Sequence, residues 1–188
     1  VPPSSYHVLQ GAHFIVNLSA DREILMRDQY RKALLREHSA KAVCGYVYTS
    51  AGFGESTRDN VYAGAASIWE NGCSLVENER YQTESSMIIA DIDIEKIENL
   101  RKGSALFTSI SPAGTNAASY YRLYDRRSLG EAAETDFEKK LYRHIEPHPF
   151  VPARDLDYRC REIIEIQIAG LVKRLSHINC QTAVIGIS

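Results

Sequence analysis

Apolar residues along this chain follow two rhythms, and the alternation between them predicts its elements. Short apolar or β-branched runs of strand length recur at His13–Asn17, Cys44–Thr49, Ala65–Glu70, Cys73–Asn78 and Met87–Ile92. Stretches with helical spacing lie between and after them. One runs from Asp21 to about Ala42, with Ile24, Leu25, Tyr30, Leu34, Leu35 and His38 near one face. Another starts at Asp93 and reaches Lys102, carrying Ile94, Ile97 and Leu100. The third, Asp155 to about His177, has the broadest stripe: Leu156, Cys160, Ile163, Ile164, Ile168, Leu171, Val172 and Leu175. Arg159, Arg161, Glu162, Glu165, Lys173 and Arg174 lie mainly on its other side. Gly170 inside this helix costs about 1 kcal/mol relative to Ala. A close helix–helix approach there is the expected compensation.

Turn residues set the boundaries. Ser4 or Ser5 caps a short helix over Tyr6–Gln10, and Gly11 ends it. Leu18-Ser19-Ala20 leads out of the first strand. Asn71-Gly72 marks a two-residue hairpin, and Ser50–Asn60 is a polar, glycine-bearing loop. Residues 1–102 therefore read helix, strand, helix, strand, hairpin, strand, helix, which is a layered α/β pattern with a mixed sheet. From Gly103 to Pro152 periodicity weakens, and the stretch reads as a linker with a short helix near Glu131–Tyr142. Tyr120, Tyr121, Tyr124 and Tyr142 are candidates to pack it onto a neighbour. Residues 153–188 form a further segment. Its Ala183-Val184-Ile185 run reads as a buried parallel strand. The Gly186-Ile187-Ser188 that follows reads as the start of a nucleotide-binding loop, so the sequence is expected to be a piece of a larger enzyme.

Composition narrows the function classes. The net charge is −2, with both signs interspersed and no block of like charge, which leaves no nucleic-acid or polybasic membrane footprint. No apolar run reaches membrane-span length, and with no charged-then-apolar pattern in its opening residues a secretory signal is not expected. Cys44, Cys73, Cys160 and Cys180 are scattered without CxxC spacing. They read as reduced core thiols, Cys160 included, of a cytoplasmic protein. The six histidines show no ligand spacing, so no metal site is expected.

Several motifs, in order, carry a resemblance: Asn17-Leu18-Ser19-Ala20, Tyr30-Arg31, Tyr46-Val47-Tyr48, Gly54-Glu55-Ser56-Thr57 and Glu70-Asn71-Gly72. They resemble the second half of the glutaminase domain of glutamine-dependent NAD+ synthetases, a nitrilase-type amidase with an α-β-β-α sandwich. Pro147-His148-Pro149-Phe150-Val151-Pro152 resembles that family's interdomain junction. Arg159-Cys160, Ile166-Gln167, Gly170-Leu171 and Val184–Ser188 resemble the start of its Rossmann-like, pyrophosphate-loop synthetase domain. The resemblance implies an enzyme that hydrolyses glutamine at one site and passes ammonia through a tunnel to another. There ATP and magnesium activate nicotinate adenine dinucleotide, and ammonia converts the adenylate to NAD+. Homo-oligomers are expected by the same resemblance.

The resemblance also places the chemistry. A nitrilase-type site needs a thiolate nucleophile, a carboxylate base and a lysine that stabilises the oxyanion. In the family these precede the Val-Pro-Pro stretch, so no catalytic residue is expected here and the chain alone should be inactive. Ser19 is a candidate for the head group of glutamine, or else a turn or capping serine. Arg31 offers a carboxylate-binding fork, or pairs locally with Glu23 or Asp28. Glu55 orients the catalytic lysine or lines the ammonia route, or else organises its own loop. Gly186, Ile187 and Ser188 would open the ATP-phosphate cradle. Two rival readings stand beside this one: another nitrilase-superfamily amidase with a C-terminal extension, and a non-catalytic half-domain that pairs through an exposed sheet edge and face.

Overall fold

A computed structural model describes residues 2–56, 59–109, 141–148, 151, 155–184 and 186. It divides into two compact units, Val1–Arg143 and His144–Ser188. In the first, the elements are α1 (Pro3–Leu9), β1 (Phe14–Ser19), α2 (Arg27–Lys41), β2 (Gly45–Ser50), β3 (Ala66–Glu70), β4 (Cys73–Glu77), α3 (Ile94–Lys102) and α4 (Ala105–Ser109). The four strands form one open sheet in the order β1-β2-β3-β4. β1 and β2 are parallel, and the other two pairings are antiparallel, so the expected mixed α/β sheet is present.

The pairing register explains the core. Ile15 lies beside Tyr46, and Tyr46 beside Trp69; in the next row Asn17 lies beside Tyr48, and Tyr48 beside Ser67. Because side chains alternate across a strand, these residues share one face. Val8 of α1 and Leu35 of α2 close over that face with Cys44, Tyr46, Tyr48, Ala65 and Trp69, and Phe107 of α4 packs against them. Phe14, Val16 and Leu18 occupy the alternate positions of β1 and are exposed. The hairpin behaves as its turn residues predict. Asn71 and Gly72 both take positive φ, at 45° and 83°, as a type I′ turn requires.

Other expectations are corrected. α1 starts at Pro3, and neither Ser4 nor Ser5 caps it; proline, preset for the first helical turn, takes that position. α2 starts at Arg27, six residues later than the apolar spacing implies, behind a left-handed Met26 with φ 68°. The Glu23 N–H donates to the Val61 carbonyl at 2.8 Å, and Asp21 and Glu23 turn to arginines of α2, which holds residues 21–26 out of the helix. Ile24 and Leu25 are accordingly exposed. Met87–Ile92 joins no ladder. Its Ile92 sits over Gly45, where an added Cβ would lie 3.0 Å away. Cys44 is the buried thiol among the four, whereas Cys73, Cys160 and Cys180 are exposed.

α3 begins at Ile94, one residue past the expected start, because Asp93 caps it by accepting the Lys96 N–H at 2.8 Å. Ile97 is fully buried, and the buried Arg101 donates to the carbonyls of Val43 at 3.0 Å and Ala12 at 2.8 Å. The stretch read as a linker contributes α4, while the helix expected at 131–142 lies, up to residue 140, outside the described residues, as do Tyr120, Tyr121 and Tyr124.

The second unit holds α5 (Leu156–His177), the predicted long helix. Its stripe is exposed, including Ile163, Ile164, Ile168, Leu171 and Val172, and among the described residues nothing lies within 4 Å of a Cβ built at Gly170, so they show no close approach there. Ala183 and Val184 form no strand; Ile185 lies outside the described residues.

Candidate functional site

β1 and β2 run parallel, so their carboxyl ends meet at one end of the sheet, the position at which α/β layers carry their ligands. Ser19 closes β1 there and Asp21 follows it. On the same face, under α1, α2 and α4, lies a groove of about 880 Å³. Asn17, Tyr46 and Tyr48 line it from the sheet, Val8 from α1, Leu34 and Leu35 from α2, and Phe107 from α4. The result is an apolar trough with polar groups at chosen points, the usual make-up of a small-molecule site.

Charge gathers where the strands end. Arg27 forks onto Asp21, with Nε at 3.0 Å from Oδ2 and Nη2 at 2.9 Å from Oδ1. This hydrogen bond and the attached charge raise the Arg27 pKa above its ordinary value. Arg31, one helical turn on, is only 6% exposed and donates through Nη1 to Glu23 Oε1 at 2.7 Å. Glu23 is 5% exposed and is also paired with Arg80 at 3.3 Å. The Arg31 guanidinium further lies over the Tyr48 ring, 5.6 Å from its centroid. Arg31 thus makes the local pair with Glu23 and also lines the groove. The Tyr48 hydroxyl is buried without a hydrogen-bond partner among the described residues.

Farther along α2, His38 Nε2 and Ser4 Oγ stand 2.8 Å apart, and the imidazole meets the Tyr46 ring edge-on at 5.4 Å. Burial pushes the His38 pKa below its usual value against the opposing pull of Glu37, so the ring is neutral at pH 7. The Tyr46 hydroxyl accepts from Asn17 Nδ2 at 3.2 Å; burial holds this phenol above its ordinary value despite that bond. No cysteine lines the groove. Cys44 sits in the core, where burial pushes its thiol up to about 11, the opposite of what a nucleophile needs.

The groove thus brings Ser19 and Arg31 together and leaves the other candidates apart. Glu55 is exposed on the loop after β2 and does not line the groove; its N–H donates to the Gly52 carbonyl at 3.3 Å. Gly186 belongs to the second unit with open space about it, and Ile187 and Ser188 lie outside the described residues. No group of three His, Cys, Asp or Glu suited to a metal ion occurs among the described residues. No described helix is long and apolar enough to cross a membrane. Sequence reasoning missed Asp21, Arg27, Ser4 and His38. Asp21 and Arg27 are six apart, a spacing that aligns no helix face, and Ser4 meets His38 across 34 residues.

No protein-family model matches the chain. Along its whole length it is 34% identical, over 190 aligned positions, to the glutamine-dependent NAD(+) synthetases of Mycobacterium bovis, Mycobacterium tuberculosis and Mycobacterium leprae. The match takes in 100% of this chain and 27% of each relative, so the chain spans about a quarter of the length of the curated relatives it matches. The resemblance carried by the motifs is borne out by these relatives.

Proposed function

We propose that this chain is part of a glutamine-dependent NAD+ synthetase. The whole-length likeness at 34% identity carries the reading. On it, the first unit supplies the second half of a nitrilase-like glutaminase sandwich, and the second unit opens a Rossmann-like synthetase domain. Glutamine, ATP and nicotinate adenine dinucleotide are the substrates, magnesium assists the adenylation, and the enzyme works as a cytoplasmic homo-oligomer. On the strength of the resemblance, the nucleophile belongs to the half of the glutaminase domain that precedes these residues, whose own part in the chemistry is to bind and orient.

The groove end suits the head group of glutamine. Ser19 offers a hydroxyl there, and Arg27, more exposed than Arg31, offers a charged planar fork that can be shared with a ligand carboxylate. Asp21 opposite it suits the ammonium group. Arg31, already committed to Glu23, acts indirectly by holding the 21–26 loop against α2. Glu55 lines the ammonia route and Gly186, Ile187 and Ser188 begin the phosphate cradle, both on the strength of the resemblance.

The test is an assay of the full-length protein with nicotinate adenine dinucleotide, ATP and magnesium, fed with glutamine or with ammonium. NAD+ formed from both nitrogen sources supports the reading. Glutamine hydrolysis with no NAD+ from either source would replace it with the rival, a nitrilase-superfamily amidase carrying a C-terminal extension. The 188-residue chain by itself is expected to release no ammonia from glutamine above blank.

A further inference from the structure

Outside the groove, Glu70 draws two separate parts of the chain, the start of α3 and Arg143, onto one carboxylate. It ends β3, and its side chain is 1% exposed. Oε2 accepts the Asp93 N–H at 2.9 Å and Arg143 Nη1 at 2.7 Å. Oε1 accepts Lys96 Nζ at 2.9 Å and Arg143 Nη2 at 2.8 Å. The Arg143 fork therefore engages both oxygens. Asp91 works on the same stretch through the backbone, its Oδ2 accepting the N–H of Tyr142 at 2.6 Å and of Arg143 at 3.1 Å. Arg143 is the last residue of the first unit.

Lys96 and the Asp93 N–H already supply Glu70 with an opposite charge and a donor, so the carboxylate is not stranded without Arg143. What the arginine adds is position. A bidentate fork on a fixed carboxylate sets orientation as well as distance, which the point charge of a lysine does not. Two anchors on consecutive residues, one through backbone and one through side chain, leave that stretch little freedom.

We propose that Glu70 and Asp91 form a latch that fastens the chain at Tyr142–Arg143, so that the point at which it leaves the first unit is held by β3 and the segment leading into α3. One consequence rests on the synthetase reading: ammonia released in one half must be used in the other, and a fixed point of departure limits its loss on the way.

The test uses Arg143→Gln, with Arg143→Lys as a second variant that keeps the charge and loses the fork. In the 188-residue chain, amide exchange at Tyr142 and Arg143 is expected to quicken about tenfold in the glutamine variant while the amides of β2 and β3 keep their protection. The lysine variant should fall between it and the parent. Unchanged exchange at Tyr142 and Arg143 overturns the latch. In the full-length protein, NAD+ formed per glutamine hydrolysed is expected to fall about twofold in Arg143→Gln, with ammonium-driven synthesis unchanged. An unaltered ratio overturns the coupling role. Absence of NAD+ synthesis by the unsubstituted protein removes the synthetase reading and its consequence together, and the exchange measurement then decides the latch alone.

Discussion

At Gly72 the backbone takes φ 83°, and a Cβ added there would lie 2.9 Å from Cβ of Ala40. The Gly72 N–H also donates to Ser39 Oγ at 3.0 Å, which ties the hairpin tip to the end of α2. Gly72→Ala is therefore strained twice, by conformation and by contact. It is expected to cost about 1–3 kcal/mol, read as a lower midpoint of urea unfolding. His38 makes a different kind of demand. Its folded pKa lies below the ordinary value because burial penalises the charged ring, so the unfolded chain binds the proton more readily. The stability this group contributes is present above a pH of about 6.5 and drains away as pH falls through the folded pKa. Urea midpoints of the parent should decline from pH 7 to pH 5 more steeply than those of His38→Gln.

Among the elements, α2 depends on charges brought to it by the loop before it. The side chains of Arg31 and Glu23 are both buried, and removing the arginine leaves the carboxylate, among the described residues, with Arg80 at 3.3 Å. Arg31→Met should cost about 3 kcal/mol, with part of the loss recovered when Glu23→Gln is added, as a double-mutant cycle would register. β3 carries another buried carboxylate, Glu70. Burial alone would raise the Glu70 pKa, but hydrogen bonds from Arg143, the Asp93 N–H and Lys96 outweigh it and hold the group at about 2, below the usual 4.5. A depressed carboxyl contributes stability that is whole above the unfolded pKa and is lost as pH falls from 4.5 toward 2. Acid titration of Arg143→Gln, followed by far-ultraviolet circular dichroism, should show unfolding that begins at a higher pH than in the parent.

Across the whole molecule, one end of a parallel strand pair meets an apolar groove, the place proposed above for the head group of glutamine. Ser19, Asp21 and Arg27 come from a strand end, a loop and the first turn of a helix, a combination that only the crossover from β1 through α2 to β2 brings together. In the full-length enzyme, Arg27→Ala is expected to raise the KM for glutamine about tenfold, the loss of one charge-assisted contact, with ammonium-driven NAD+ formation unchanged. Equal losses with both nitrogen sources would place Arg27 outside the glutamine site.

The parts of this protein legible in the sequence were those whose cause is local. Asn71-Gly72 made its hairpin because its two residues accept positive φ, and the runs at 13–17, 44–49 and 65–70 made strands because β-branched and aromatic side chains suit a pleated surface. The long stripe of α5 was readable for the same reason, as was the family resemblance, which rests on residues in order. Tertiary structure decided everything that depends on a partner distant along the chain. It started α2 at Arg27, because the N–H of Glu23 found the carbonyl of Val61 and two carboxylates found arginines. It left Met87–Ile92 outside the ladder, seated Ile92 on Gly45, and set Arg31 against Glu23. It also brought Ser4 to His38 and Arg143 to Glu70 across 34 and 73 residues. Periodicity reports which face of an element is apolar, whereas a buried charge is settled only by which opposite charge the fold sets beside it.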